Sequence, residues 1–450
     1  MTSRRRPRRH QPIPSQTPRR GARAVKVAKV ARAEPRSIAV VGAGVAGCAL
    51  VAQLRRLGCR ASITLLETGR GPGGRASTRR SRSDAALAID HGAPLFTIGS
   101  EPPPELLAPL RQGGWIEPWP PGESGLAQLQ ADGTIVAGGG DPQLVGELYR
   151  GSRGMEAVSA GLLALAAAAT PAGVAPLQVR YGVLVQELLA SPDGPWQLLD
   201  GQGQQLAQAD WLLLAGTLLA HPRGPQVFGW SEVPLAAAAR QLADPQLVAA
   251  LQAIAALESE ARSNLLLVIA AAAAQPWLAL PFRHLSFTPA AQQRWGLERL
   301  SIQPLAAGRV VVVAHSTAAV AASNLGVHGS CSSAGRLLPA PADPAAETRL
   351  ITSLSEVLGA ALAAVLPAGT ALPPLQQRQL MRWGAAFPCA PGLEAEAMLC
   401  PASRVALCGD AIAGPGFARI EGALRSGEWL AQRLLQEWNE AEPVGAEHRR

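Results

Sequence analysis

Lysine is almost missing from this 450-residue chain: Lys26 and Lys29 are the only two. Beyond residue 29 every fixed cation is an arginine, and no chemistry there can use a lysine amine, whether as a Schiff base or to hold a reacting water. The six cysteines and seven histidines form no C-x-x-C pair and no zinc-type spacing, so neither a structural metal site nor a disulfide framework is expected. Scattered thiols of this kind suit a reducing compartment, and a cytoplasmic location is the expectation. Long apolar runs are missing too. The longest near the middle, residues 265–274, has ten residues, about half of what a bilayer crossing needs; no transmembrane segment is expected.

A basic body is also missing, although the formal net charge is +8. Residues 1–36 hold 12 Lys and Arg against one acid, Glu34, whereas the remainder holds 29 basic and 32 acidic residues. The excess positive charge sits in a Pro- and Arg-rich tail without apolar periodicity, which reads as disordered. Its Arg-rich, acid-poor composition leaves organelle targeting open, while the lack of an apolar stretch argues against a secretory signal. The mildly acidic body gives no basis for a nucleic-acid partner.

What is present is a 48% hydrophobic chain, enough for a large core. Ser37–Val41 is a short β-branched run, followed by the turn Gly42-Ala-Gly44-Val-Ala46-Gly47. Residues 48–57 read as a helix and residues 61–66 as a second strand, closed by Glu67. This is the length and order of one βαβ unit. Further on, residues 98–160 read as an irregular insertion with short strands and helices. Strands are expected at 179–187 and 196–199, joined by a Ser-Pro-Asp-Gly turn, and at 211–215, 265–272, 299–304, 310–314 and 405–407. Helices are expected at 234–258, 344–366 and 420–438.

The glycine turn carries a specific chemistry. Gly42 permits the tight strand-to-helix bend, Gly44 lets backbone approach a pyrophosphate, and Gly47 lets helix and strand pack closely. The helix N-terminus, including the Ala46 amide, offers free N–H groups and the positive dipole end to phosphates. Glu67, twenty residues after Gly47, is placed to accept hydrogen bonds from ribose hydroxyls. A second glycine-rich loop, residues 69–74, follows at once and ends in Arg75, a cation able to offset pyrophosphate charge. That order favours FAD over a second βαβ unit of an NAD domain.

The stretch Gly74-Arg75-Ala-Ser-Thr78-Arg79-Arg80, with Asp90-His91-Gly92-Ala93 after it, resembles the G-G-R-x-x-T-R-R and D-x-G-A segments of renalase-like FAD-dependent oxidoreductases, a branch of the flavin amine oxidase superfamily. Near the C-terminus, Gly409-Asp410 and the segment from Gly416 through Ile420 to Gly427 resemble that family's closing motif. The resemblance implies that Asp410 contacts the ribityl chain or pyrophosphate. It also implies that the Ile420 backbone lies near the flavin ring and that Val185 contacts adenine. Residues 382–388 are similar to an R-W-R-Y-A-x-P block, but Gly384 and Ala385 stand in place of the second Arg and the Tyr. Pro94 and Leu95 likewise replace a Gln and an aromatic.

The expected architecture is α/β: a Rossmann-type FAD-binding domain (residues 37–97, 181–219 and 379–436) with an interleaved α+β substrate domain (residues 98–180 and 220–378). Residues 1–36 are an expected disordered tail and residues 437–450 a frayed end. The expected activity is hydride transfer from a small organic donor, a dihydronicotinamide or an amine, to noncovalent FAD, with dioxygen as reoxidant. A desaturase or isomerase of a lipophilic pigment or terpenoid, and a flavoprotein without catalysis, stay open. His91 and His315 read more readily as structural residues than as proton carriers. No residue is singled out as catalytic, and nothing indicates the oligomeric state.

Overall fold

The computed structural model describes residues 35–81, 84, 86–119, 125–138, 144–329 and 343–439. Most of the basic tail therefore lies outside the described residues, as do Cys331 and residues 440–450.

The βαβ unit forms as the sequence reads. Strand β1 (Ser37–Val41) leads into helix α1 (Val45–Arg56), and the chain returns as strand β2 (Ser62–Glu67). β1 lies between β2 and the strand Trp211–Leu214, parallel to both, and Val405–Leu407 pairs parallel with the far side of Trp211–Leu214. All these strands end on one side, where Val41, Leu66, Leu214 and Leu407 stand in register. Their alternation is nearly all apolar because helices cover one face of the sheet and a β-hairpin lobe covers the other.

α1 is buried on every side. Leu50 and Leu54 have no exposed surface, and burying such a side chain contributes about 1.5–3 kcal/mol. Even Arg55 is only 1% exposed, donating to the carbonyls of Cys59 and Ala61 at 2.7 and 2.9 Å. The closing helix Ile420–Asn439 lies so close that a Cβ at Gly427 would stand 2.6 Å from the Ala46 carbonyl oxygen. Of the end expected to fray, only residues 437–439 are described, and there Trp438 is 1% exposed and meets Trp211 edge-on at 5.7 Å.

The second lobe is a seven-stranded sheet. Its strand order is Arg378–Pro388, Ser259–Ile269, Val310–Ser316, Leu297–Pro304, His284–Phe287, Leu126–Leu129, Ile135–Ala137. Helix Pro344–Ala361 buries Leu350, Leu354 and Leu358 against its core.

Several expected boundaries move. Residues 179–187 are not one strand: Gln178–Tyr181 pairs with β2 at the edge of the first sheet, and Glu187–Leu189 belongs to the hairpin with Trp196–Leu199. The edge of the first sheet thus takes a segment expected in the second lobe, as does its helical layer, where Glu156–Ala168 packs on α1. Conversely, Arg378–Pro388, expected in the FAD-binding domain, is the edge of the seven-stranded sheet. The helix expected over residues 234–258 breaks into Pro234–Leu242 and Pro245–Ala256, because Ala243 turns left-handed (φ 48°) and Asp244 caps the second helix by accepting from the Gln246 amide. The strand expected at 265–272 begins earlier, at Ser259, and ends at Ile269. The helix expected over 344–366 ends at Ala361.

Candidate functional site

One cavity of about 1430 Å³ opens at the carboxyl ends of the first sheet and runs to the seven-stranded sheet. This exceeds the roughly 300–1,000 Å³ typical of a single small-ligand pocket. Gly42, Gly44, Ala46, Glu67, Gly74, Arg75, Val185, Gly409, Asp410 and Ile420 all line it. Gly47 lies just beneath: a Cβ there would stand 2.0 Å from the Gly42 carbonyl oxygen and 2.8 Å from the Ala215 Cβ, so only glycine lets α1 sit this close to β1. Gly42 itself needs its freedom, at φ +107°.

The pieces are pinned together by backbone. The Gly42 amide donates to the Leu66 carbonyl at 2.8 Å, and the Gly73 amide to the Ala43 carbonyl at 2.8 Å. The two glycine loops therefore face each other across little more than backbone. α1 begins at Val45 behind the N-cap residue Gly44, with no side-chain cap and no acid in its first turn. Its N-terminal amides meet the cavity without a carboxylate competing for them, which suits a pyrophosphate. Glu67 accepts from the Ala43 amide at 2.8 Å and from the Gly69 amide at 2.6 Å. Each oxygen keeps a lone pair for a further donor such as a ribose hydroxyl.

Asp410 is not a helix cap: the closing helix starts ten residues later, at Ile420. Both its carboxylate oxygens accept from Arg75, at 2.5 and 2.6 Å, and Arg75 also donates to the Ala386 carbonyl at 3.0 Å. Arg75, expected to offset pyrophosphate charge, is thus held in place by a bidentate carboxylate that balances its own charge. Val185 lies in the link between two strands rather than on one, and is 3% exposed.

Glu421, fully buried at the start of the closing helix, accepts from the Gly99 amide at 3.2 Å and from the Ser100 amide at 3.0 Å. Burial alone would raise its carboxyl, but the Ser100 and Gly99 hydrogen bonds and the Arg419 guanidinium hold it below the usual range. Ala418, which also lines the cavity, is held left-handed at φ 62° while its amide donates to the Asp410 carbonyl at 2.9 Å.

The far end of the cavity is lined by His91, His284 and His315 together with Arg262, Arg299 and Trp383. His91 stacks on Trp383 at 5.3 Å, with its Nδ1 unpartnered. Burial and the Arg79 guanidinium lower its pKa to about 4. Burial, then Arg299 and the neighbouring His284, push His315 well below the usual histidine range. Both rings are thus neutral at pH 7. Trp383 belongs to the block of residues 382–388 that resembles R-W-R-Y-A-x-P, whereas no motif marks His284, Arg262 or Arg299; the one hint for these arginines was the lysine-free body, which leaves arginine as the only fixed cation. Among the described residues no cluster could hold a metal ion, and no helix is long and apolar enough to cross a membrane.

Residues 40–111 match the family described as NAD(P)-binding Rossmann-like domain. No curated protein matches the chain. Among solved structures, the chain is similar to cyclohexylamine oxidase from Brevibacterium oxydans IH-35A, at 14% identity and a TM-score of 0.55, covering 90% of this chain and 100% of that one. It is similar to putrescine oxidase bound to putrescine, at 11% identity and a TM-score of 0.52, covering 89% and 99%. An oxidoreductase from Methanosarcina mazei matches at 12% identity and a TM-score of 0.54, covering 88% and 100%. At these identities the likeness is one of fold. The chain has the mixed α/β fold of these oxidases, a Rossmann-like domain joined to a second sheet, along nearly its whole described length.

Proposed function

We propose that the chain is an FAD-dependent oxidoreductase that takes a hydride from a small organic donor, a dihydronicotinamide or an amine, onto noncovalent FAD, with dioxygen as reoxidant. The observation that carries this reading is convergence. The uncapped N-terminus of α1, the Glu67 carboxylate, the Arg75–Asp410 pair and the start of the closing helix surround one cavity at the carboxyl ends of the sheet. That is where open α/β sheets bind dinucleotides. The shared fold with two amine-oxidising enzymes supports the reaction class. The renalase-like subtype rests on the sequence resemblance alone.

FAD, when bound, supplies a two-electron hydride acceptor; the chain's own residues bind, orient and exclude water. Glu67 would hold the adenosine ribose, the α1 amides the pyrophosphate, and the Ile420 end of the closing helix the negative charge that develops on reduction. Charged groups at the far end of the cavity weigh against a purely apolar tunnel for a lipophilic pigment or terpenoid.

The test is purification with its native pigment. A yellow protein that releases FAD on heating, is bleached anaerobically by a dihydronicotinamide or an amine, and yields hydrogen peroxide when air is admitted meets the proposal. A colourless protein that cannot be loaded with FAD ends it.

A further inference from the structure

The charge of the cavity is one-sided. Nine arginines line it against three carboxylates, Glu67, Glu156 and Asp410, counting the described residues. Each carboxylate is already engaged: Glu156 with Arg80 at 2.5 Å, Asp410 with Arg75, and Glu67 with two backbone amides. Arg262 is also paired, with Glu260 and Glu298.

Three lining arginines have no carboxylate among the described residues. Arg79 has a buried Nη1 with no hydrogen-bond partner. Arg382 donates to the carbonyls of Ala321 and Asn324, at 2.8 and 3.5 Å, which leaves its charge uncompensated. Arg223, on the short helix Arg223–Phe228, is half-buried and has no ion pair. Burial, and to a lesser extent the nearby Arg75, depress its basicity. It stays charged at pH 7 because guanidinium pKa values begin so high.

Gly384 lies beside Arg223. A Cβ built on Gly384 would stand 3.9 Å from the Arg223 Nη1. The guanidinium thus lies within contact distance of a strand position that has no side chain, in the block of residues 382–388 that departs from the pattern it resembles, where a long side chain such as the pattern's arginine would meet it. A partly dehydrated cation in a cavity of one sign is unfavourable unless an anion joins it, and low-dielectric walls focus that field on whatever enters.

We infer that the hydride donor is an organic anion whose carboxylate or phosphate group is held by Arg223, with Arg79 and Arg382 adding to the attraction. This rests on the FAD reading above and narrows it: an anionic donor is favoured, and a protonated amine meets like charge.

Oxidised FAD-loaded protein is titrated with benzoate, phenyl phosphate, benzylammonium and benzyl alcohol, following the flavin absorption band. Saturable perturbation by benzoate, by phenyl phosphate or by both, with no response to the other two at equal concentration, is expected. Whichever anion binds identifies the recognised group. Arg223→Gln and Arg223→Met should keep FAD content and melting temperature yet weaken the anion about 10- to 150-fold, the range for a lost charged hydrogen-bond partner. Arg223→Lys should retain most of the binding. If the uncharged variants do not fold, the preference of the unaltered protein for anion over ammonium decides alone. Equal response to all four probes, preference for benzylammonium, or full anion affinity in a folded Arg223→Gln protein overturns the inference and leaves the FAD reading standing. A protein that never takes up FAD overturns both.

Discussion

Replacing Glu67 with glutamine changes one heavy atom and separates the job the carboxylate performs in the fold from the ribose contact proposed for it. Its oxygens accept the Ala43 and Gly69 amides at 2.8 and 2.6 Å, tying the first glycine turn to the second loop. In Glu67→Gln one of these oxygens becomes an NH₂ group facing a backbone N–H, and a half-buried donor loses its partner. That costs about 1–3 kcal/mol in the protein without cofactor. In the proposed complex the remaining oxygen would still reach a ribose hydroxyl, but as a neutral acceptor worth roughly 1 kcal/mol less than a charged one, which is about a fivefold loss of FAD affinity. Urea denaturation of the apoprotein measures the first quantity, and fluorescence titration with FAD measures the second. The flavin absorption spectrum should not move, because the adenosine end is remote from the ring. An apoprotein as stable as wild type would refute the structural role, and unchanged FAD affinity would refute the ribose contact. A shifted flavin spectrum would place Glu67 at the wrong end of the cofactor.

Gly47→Ala drives a Cβ to 2.0 Å from the Gly42 carbonyl oxygen; overpacking of this kind costs about 1–3 kcal/mol or more, and loss of FAD binding or of soluble protein is expected on expression and flavin assay. Ala418→Gly relieves a left-handed alanine at φ 62°. The relief of about 1–2 kcal/mol less the unfolded-state entropy of glycine leaves about 0.5–1 kcal/mol, read as a melting temperature higher by about 1–3 °C. His91 has its pKa lowered to about 4, so the unfolded chain binds its proton first as acid is added. Stability should be full above pH 6.5 and fall as the pH drops from there through about 4. His91→Phe, which keeps a ring against Trp383, should flatten that slope in denaturation curves taken across this range.

The first βαβ unit was legible because its signals are local: a β-branched run, three glycines and an acid at fixed spacing dictate strand, turn, helix and strand within thirty residues. The closing block was legible for a similar reason, and ten of the eleven expected contact residues line one cavity, with Gly47 packed directly beneath it. The rest depends on partners far away in the chain. Nothing in Gln178–Tyr181 says that it will pair with β2 rather than with the strand after it. The break at Ala243 hides in an alanine-rich pattern that a continuous helix would satisfy equally well. Arg223 illustrates the limit most clearly. An arginine is ordinary at a helix start, and only the fold shows that the acids around this one are already taken.

The Arg75–Asp410 pair joins residues 335 positions apart, and that separation has a meaning during translation. A ribosome delivers the glycine turn near the start of the body and its counterpart near the end. Until Val405–Leu407 emerges, Trp211–Leu214 lacks its outer parallel neighbour, and until the closing helix follows, one face of α1 is bare. A fragment stopped short of residue 405 carries the glycine turn and Glu67 and yet lacks the part of the cavity wall that lies between Leu407 and Ala423. Cofactor loading therefore reports on completeness: if the cavity is a flavin's, colour appears only in chains that have been synthesised through to their last helix.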